Sequence, residues 1–154
     1  MTDRPRGKFY EELEIGDEFT TPARTITESD IVMYAALTGD CNPVHTDEEF
    51  CREHNIYGRR IGHGLLGLAY LDGLIFRLGL FDGTGLASLS WKWDFKGPIF
   101  IGDTLHGVTK ITMKRETMKP GRAIINEHVT LVNQRGETIG EGDHLNMIRM
   151  RLAE

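Results

Sequence analysis

A long apolar segment, Leu65 to Leu80, most constrains what this chain can fold into. Asp72 and Arg77 interrupt it, and it falls short of the roughly 20 mostly apolar residues that a membrane-spanning helix needs. We therefore interpret it as a buried helix, opened by the Gly62-His63-Gly64 segment and running to about Gly79. Its apolar side chains lie on nearly all sides, so other structure must cover it.

The sequence pattern in the second half of the chain predicts a β-sheet that covers this helix. From Leu86 the side chains alternate with the period of a half-buried strand, and the apolar ones that share a face are Ala87, Leu89, Trp91, Trp93 and Phe95. Turn-like segments separate three more predicted strands, and a fifth precedes the helices: Leu105 to Met113, Ala123 to Asn133, Thr138 to Met150, and Glu18 to Ile26. The pattern predicts an α+β fold in which an antiparallel sheet curls around the apolar helix.

The first half of the chain predicts short helices joined by a rigid break. Thr27, with an acid three residues later, is typical of a helix N-terminus, and Gly39 is a plausible stop for that helix. Pro43 then breaks the helix, because proline disfavours helical geometry in the residue before it. A second short helix follows, capped by Thr46 or Asp47.

Composition and charge exclude several classes of protein. The 154 residues, 40% hydrophobic and 27% charged, predict a single globular domain over residues 1–154. A formal net charge of -5 opposes nucleic-acid binding. Residues 1–14 lack the features of a signal peptide, and Cys41 and Cys51 lack a CxxC spacing. We expect a cytoplasmic protein with free thiols that binds neither nucleic acid nor membrane.

The densest functional signal is an acid and an imidazole, Asp40 and His45, on either side of the proline break. On a continuous helix their five-residue spacing would point them apart, whereas the turn lets them converge. Adding water to an activated alkene needs such a pair, because a proton leaves water and a proton reaches the α-carbon. A structural alternative is equally open: Asp40 or Asn42 caps a helix, and His45 is a polar residue with a nearby partner.

Three segments carry a resemblance to a known family. Residues 34–45, YAALTGDCNPVH, with the small Cys51 after them, resemble the hydratase-2 motif of MaoC-like (R)-specific enoyl-CoA hydratases. That family usually has Ala or Ser where Cys51 stands. Residues 61–66 are similar to the segment that opens the family's central helix, and residues 95–104 to its later strand and turn. The resemblance covers roughly residues 17–146.

The resemblance implies a fold, a reaction and a set of site residues. The implied fold is a single hotdog domain, and the implied reaction is the reversible hydration of a trans-2-enoyl-CoA thioester to a 3-hydroxyacyl-CoA. Coenzyme A is part of the substrate, and no other cofactor is expected. Asp40 and His45 form the catalytic dyad, and the Gly64 backbone amide stabilises the enolate oxygen, which suits a helix N-terminus. We assign His45 as the base toward water and Asp40 as the group that relays a proton to the α-carbon. Hotdog domains are usually dimers, so we expect a homodimer or a higher oligomer.

Three further residues are expected to support the site. Asn42 caps or braces the turn, and His63 positions the loop beside Gly64. Asp72 stands where some family members place a Ser close to the dyad. A carboxyl buried there would have a raised pKa or need a partner such as Arg77, and it bears on which substrate is used.

Four other interpretations compete with parts of this one. His45 and Asp47 form the HxD pair of some two-His-one-carboxylate iron sites, but no third ligand is evident, so we expect no metal. A hotdog thioesterase would cleave the same thioester. A non-catalytic acyl-CoA binding module would keep the motif without turnover. Finally, the Trp91 and Trp93 pair is more typical of a core or a subunit interface than of a ligand-binding surface.

Overall fold

An antiparallel sheet dominates the structure, as the alternation predicted. The computed structural model describes residues 6–151, and its strands are β1 (Glu18–Thr20), β2 (Arg24–Thr25), β3 (Gly85–Phe95), β4 (Thr104–Glu116), β5 (Arg122–Val132) and β6 (Thr138–Arg149). The strand order is β1-β4-β5-β6-β3, and β2 also pairs with β4. The four long strands confirm the predicted ones to within a few residues. β3 ends the sheet, so one of its edges pairs with no described strand.

The predicted fifth strand is wrong as one continuous element. The structure divides it into β1 and β2, with Pro22 between them. Proline has no amide hydrogen to donate to the ladder. The Thr21 hydroxyl accepts a hydrogen bond from the Gly107 amide at 2.8 Å and maintains contact with β4 across the break.

Four helices confirm the predicted helical half and add one element. They are α1 (Glu28–Thr38), α2 (Pro43–Thr46), α3 (Glu48–His54) and α4 (Gly64–Phe76). Thr27 and Asp30 form the predicted capping box of α1, and Asp47 caps α3 by accepting a hydrogen bond from the Phe50 amide. The one-turn helix α2 was not predicted.

The helix α4 packs its buried side against the sheet. Leu66, Leu71 and Ile75 lie in one apolar cluster with Leu105 and Val129 of β4 and β5. The prediction that α4 reaches about Gly79 is wrong by three residues, since turns follow Phe76. Among the described residues, no helix is both long and apolar enough to cross a membrane.

The cover around α4 is incomplete within one chain. The interpretation of this segment as a buried helix is wrong for Leu65 and Phe76, which are 58% and 68% exposed. β3 departs from its prediction in the same way, because Leu89 and Phe95 are exposed. Register irregularities near Gly85 and Ser88 disturb the expected alternation of β3. An apolar face of α4 and β3 thus remains uncovered by the residues that the structure describes.

Candidate active site

The break between α1 and α2 brings Asp40 and His45 together. Gly39 ends α1 with φ of 78°, a left-handed conformation that glycine adopts without strain. Asn42 then caps α2, its side-chain oxygen accepting a hydrogen bond from the Val44 amide at 3.3 Å. As a result, the Asp40 carboxylate lies 4.0 Å from Nε2 of His45.

The surroundings of His45 determine which ring nitrogen is available. Nδ1 lies 2.8 Å from the Ile61 carbonyl oxygen, which can only accept, so Nδ1 donates. In the neutral ring, Nε2 is therefore a lone-pair acceptor on the side of Asp40. The His45 side chain is only 12% exposed, while Asp40 is 53% exposed. The imidazole is held in place and the carboxylate is reachable from solvent.

His63 fastens the same loop from the other side. It is 2% exposed, and its Nε2 donates to the Asp40 carbonyl oxygen at 2.9 Å. Its ring stacks on His45 with the ring centroids 3.9 Å apart. Each histidine therefore donates to a carbonyl on the other's segment, His45 to Ile61 and His63 to Asp40. This exchange gives His63 the supporting position expected of it.

Gly64 is the first residue of α4. Its amide hydrogen has no partner within the helix and lies at the positive end of the helix dipole. A Cβ atom at this position would lie 2.6 Å from Cε1 of Phe95, so only glycine fits without displacing that ring. The missing side chain at Gly64 thus leaves room for the Phe95 ring, and both residues line the same cavity.

These groups line one cavity of about 570 Å³. Asp40, His45 and Gly64 form part of its polar wall, and Trp93, Leu131 and Ile139 are among its apolar lining. The cavity can hold an apolar chain next to an acid, an imidazole and an unpaired amide. That combination suits acid-base chemistry on a molecule with an apolar tail.

Two predicted supporting residues lie outside the cavity lining. Asn42 braces the turn through its cap, as expected, without facing the cavity. Asp72 does not lie beside the dyad: eight residues along α4 carry it about 12 Å from Gly64. Its side chain is exposed, and no ion pair with Arg77 occurs within residues 6–151. Partial burial nevertheless raises the pKa of Asp72.

The possible metal ligands around His45 bear on the interpretation of the site as a metal centre. Asp47 caps α3 instead of completing an HxD pair. Asp40, His45 and His63 each offer a ligand atom, and these atoms lie within 4.8 Å of one another. Tetrahedral zinc with nitrogen ligands at about 2.0–2.1 Å needs ligand atoms about 3.4 Å apart. Binding a zinc ion would therefore require these three side chains to close in.

Sequence reasoning missed several parts of the site. The Ile61 carbonyl orients His45, but a backbone acceptor leaves no signature in a side-chain pattern. Tyr57 lines the cavity from the loop after α3, which no motif marked. Trp93 packs against the core cluster, as expected, and also lines the cavity, which was not predicted. Its place on the same face of a strand as Phe95 was the available signal.

Comparisons with known proteins identify several relatives of the chain. The chain is 35% identical to protein MaoC of Klebsiella aerogenes over 122 residues, 77% of this chain and 34% of that protein. It is 31% identical over 105 residues to the (R)-specific enoyl-CoA hydratase of Rhodospirillum rubrum, 68% of this chain and 69% of that enzyme. The chain thus spans about a third of the first relative and two thirds of the second.

Solved structures confirm the predicted hotdog fold. A MaoC-like dehydratase from Rhodospirillum rubrum superposes with a TM-score of 0.86 at 27% identity, covering 96% of this chain and all of that one. A Mycobacterium tuberculosis protein with a double hotdog fold gives a TM-score of 0.80. That likeness covers 94% of this chain and 45% of the other at 19% identity, so it shows the fold alone.

A family model described as MaoC like domain matches residues 11–134. The match includes α1 to α4, and with them Asp40, His45, His63 and Gly64. The chain belongs to the MaoC-like domain family.

Proposed function

We propose that the chain is a hydro-lyase that reversibly hydrates a trans-2-enoyl-CoA thioester to a 3-hydroxyacyl-CoA. The observation that carries this proposal is the 4.0 Å approach of the Asp40 carboxylate to His45 Nε2 in a cavity that also exposes the Gly64 amide. The (R)-specific enoyl-CoA hydratase among its relatives supports the choice of reaction. Coenzyme A enters as part of the substrate, and no other cofactor takes part.

The distance between the two groups suits a bound water molecule. At 4.0 Å the pair is too far apart for a direct hydrogen bond, but one water can contact both. The water oxygen attacks the β-carbon as His45 Nε2 takes a proton, and Asp40 relays that proton to the α-carbon. The alkene gains the elements of water, and the dyad returns to its starting protonation state.

The Gly64 amide stabilises the charge that develops during this step. As oxygen adds to the β-carbon, electrons shift through the α-carbon to the thioester oxygen. A hydrogen-bond donor fixed at a helix N-terminus stabilises that enolate oxygen without reorganising. Because Gly64 lines the cavity, a thioester carbonyl bound there can come within reach of its amide.

The direct test is turnover of crotonyl-CoA by the intact chain and by Asp40→Asn and His45→Gln. We expect each replacement to lower kcat by at least about a hundredfold, as for the loss of a general acid or base. Loss of the enoyl absorbance reports hydration, and circular dichroism checks the fold. Full activity in both variants would contradict the assignment.

The same assay separates the competing functions. A thioesterase would release free thiol, which a thiol reagent detects, without first consuming the double bond. A binding module would bind crotonyl-CoA and leave both the thioester and the alkene unchanged. The hydratase proposal requires that the enoyl absorbance falls while free thiol stays constant.

We also infer that two copies of the chain associate through the uncovered face of α4 and β3. The unpaired edge of β3 offers free backbone donors and acceptors, and Leu65, Phe76 and Leu89 expose apolar area beside it. A second copy can pair with that edge and cover those side chains. Leu65 and Phe95 belong both to this face and to the cavity lining, so association would complete the cavity wall.

A further inference from the structure

The loop between α3 and α4 presents an arginine beside the cavity. Arg59 places its guanidinium carbon 3.6 Å from the centroid of the Phe100 ring. Tyr57 packs edge-on against the same ring, with centroids 5.8 Å apart, and also lines the cavity. Arg59 therefore lies one aromatic layer away from the cavity lining.

The loop that carries Arg59 is held by its own hydrogen bonds. The Asn55 side chain accepts from the Tyr57 amide at 3.0 Å and donates to the Arg59 carbonyl at 3.0 Å. Gly58, with φ of 63°, makes the turn between them. This arrangement fixes the backbone of Arg59 relative to the cavity before any ligand binds.

Arg59 also differs from the neighbouring cations in its partners. Arg60 pairs with Glu28 and Glu48, Arg52 pairs with Glu49, and Lys96 pairs with Glu141 and Asp94. Within residues 6–151, the Arg59 guanidinium has no carboxylate partner and no hydrogen bond. Its hydrogen-bond donors are thus available to an anion from outside the chain.

We propose that Arg59, stacked on Phe100, binds a phosphate group of the phosphopantetheine arm that carries the acyl chain. This inference rests on the proposed function, because it needs a thioester in the cavity with its carrier leaving past Tyr57. A guanidinium forms charge-assisted, often bidentate hydrogen bonds to phosphate. Stacking on the Phe100 ring already restricts the Arg59 side chain, so the side chain loses less conformational freedom when it binds a phosphate.

The test uses three crotonyl thioesters that differ in phosphate content. Crotonyl-pantetheine has none, crotonyl-4′-phosphopantetheine has one, and crotonyl-CoA also has the nucleotide phosphates. We expect Arg59→Ala to raise KM for crotonyl-CoA about tenfold with kcat within twofold. KM for crotonyl-pantetheine is expected to stay unchanged.

The middle substrate identifies the phosphate and its source. A rise in KM with crotonyl-4′-phosphopantetheine places Arg59 at the phosphate that coenzyme A shares with acyl-carrier proteins. A rise with crotonyl-CoA alone would place Arg59 at the nucleotide phosphates, which only coenzyme A has, and would overturn the proposal. An equal rise for all three thioesters, or no rise for any, would overturn the proposal.

Two variants control for charge and for the ring. Arg115→Ala removes the same charge from an exposed site near the end of β4 and is expected to leave all three KM values unchanged. Phe100→Leu keeps the guanidinium but removes its ring, so KM for crotonyl-CoA is expected to rise less than in Arg59→Ala. Unreactive butyryl-CoA, titrated calorimetrically into the intact chain and Arg59→Ala, gives the same comparison without turnover. That binding result holds even if the hydration assay fails.

Discussion

Gly64 serves two purposes at once, since it starts α4 and leaves room for Phe95. A methyl group there would displace the Phe95 ring, which lines the cavity where we place the thioester. We expect Gly64→Ala to fold normally, because the Phe95 ring is 58% exposed and can move. Its kcat/KM for crotonyl-CoA is expected to fall at least about tenfold, since a misplaced carbonyl weakens its bond to the amide. Steady-state kinetics on the purified variant measures this.

Gly73 is the matched control in the same helix. A Cβ there would meet no atom within 4 Å. Alanine is preferred to glycine inside helices by about 0.8–1.0 kcal/mol, so Gly73→Ala is expected to raise the free energy of unfolding by up to that amount. Its kcat should match that of the unaltered chain. Equal activity in the two glycine variants would contradict the role assigned to the Gly64 backbone.

At the scale of elements, Asp30 joins α1 to α4 and to the segment around β2. Tyr70 donates to its carboxylate at 2.5 Å, Arg24 at 2.7 Å, and the Thr27 amide at 2.7 Å. Burial alone would raise the pKa of Asp30, but these partners outweigh it and lower the pKa to about 2. The buried carboxylate therefore stabilises the fold in its ionised form.

Removing one partner should measure that stabilisation. We expect Tyr70→Phe to lower the free energy of unfolding by about 1–2 kcal/mol in urea, because a buried acceptor loses a donor. The pKa of Asp30 is near 3.8 in the unfolded chain and about 2 in the folded chain. The ionised carboxylate therefore contributes its full stabilisation above pH 3.8 and loses it as the pH falls through about 2. Asp30→Asn should therefore lose less stability than the unaltered chain between pH 4 and pH 2. An equal loss of stability in Asp30→Asn and the unaltered chain over this pH range would contradict the prediction.

The strands β4, β5 and β6 bury a second carboxyl group, whose pKa is raised where that of Asp30 is lowered. Glu127 is fully buried, with hydrogen bonds from Thr109 at 2.9 Å and Asn146 at 2.6 Å. Burial raises its pKa to about 7 against the effect of those bonds, and the charge of Asp72 adds to the rise. Burial lowers the pKa of the neighbouring His144 to about 4. Both groups are thus neutral in the folded chain between these two values.

The Glu127 pKa predicts how stability depends on pH. The folded chain holds the Glu127 proton more tightly than the unfolded chain, whose glutamate titrates near 4.5. Its contribution to stability therefore falls as pH rises from about 4.5 and levels off above about 7. We expect Glu127→Gln to remove this decline and to be more stable at pH 8, by an amount on the order of 3 kcal/mol.

His144 supplies an internal reference for that measurement. Its lowered pKa makes stability fall as pH drops from about 6.5 towards 4, because the unfolded histidine takes up a proton first. Glu127→Gln should keep this acid-side loss unchanged. Urea denaturation at pH 5, 6.5 and 8 follows both effects. If the free energy of unfolding of Glu127→Gln fell above pH 6.5 as much as that of the unaltered chain, the assignment to Glu127 would be refuted.

The elements differ in how far the sequence alone predicts them. Periodicity predicted β4, β5 and β6 because each buries one face, and the Thr27 cap predicted α1 because capping is local. The division between β1 and β2 and the irregular register of β3 depend on partners distant in sequence. At the site, the proline break marked Asp40 and His45 as a pair that could converge, and the family resemblance gave them their roles. Arg59 and the Ile61 carbonyl were not, because only the fold brings them near His45 or the cavity.

At the scale of the whole molecule, the uncovered face predicts the state of assembly. We expect the chain to be a dimer by light scattering after size-exclusion chromatography. Leu89, which is 42% exposed on β3, is the site to change. Leu89→Arg places like charges on both copies of a C2 interface and should shift the chain to a monomer. Met118→Arg, at a fully exposed position outside that face, is the control and should stay dimeric.

If the proposed hydration takes place, the exchange of hydrogen bonds between the segments of His45 and His63 restricts how a thioester can enter the cavity. Swinging the His45 turn outward would break the bond to Ile61 and pull the Asp40 carbonyl away from His63, so moving either segment alone costs both hydrogen bonds. Entry by opening the catalytic loops would thus dismantle the chemistry on every turnover. Substrate must therefore enter without displacing either segment, and hydrogen exchange should find the hydrogen-bonded amides of His45, Ile61 and Gly62 slow.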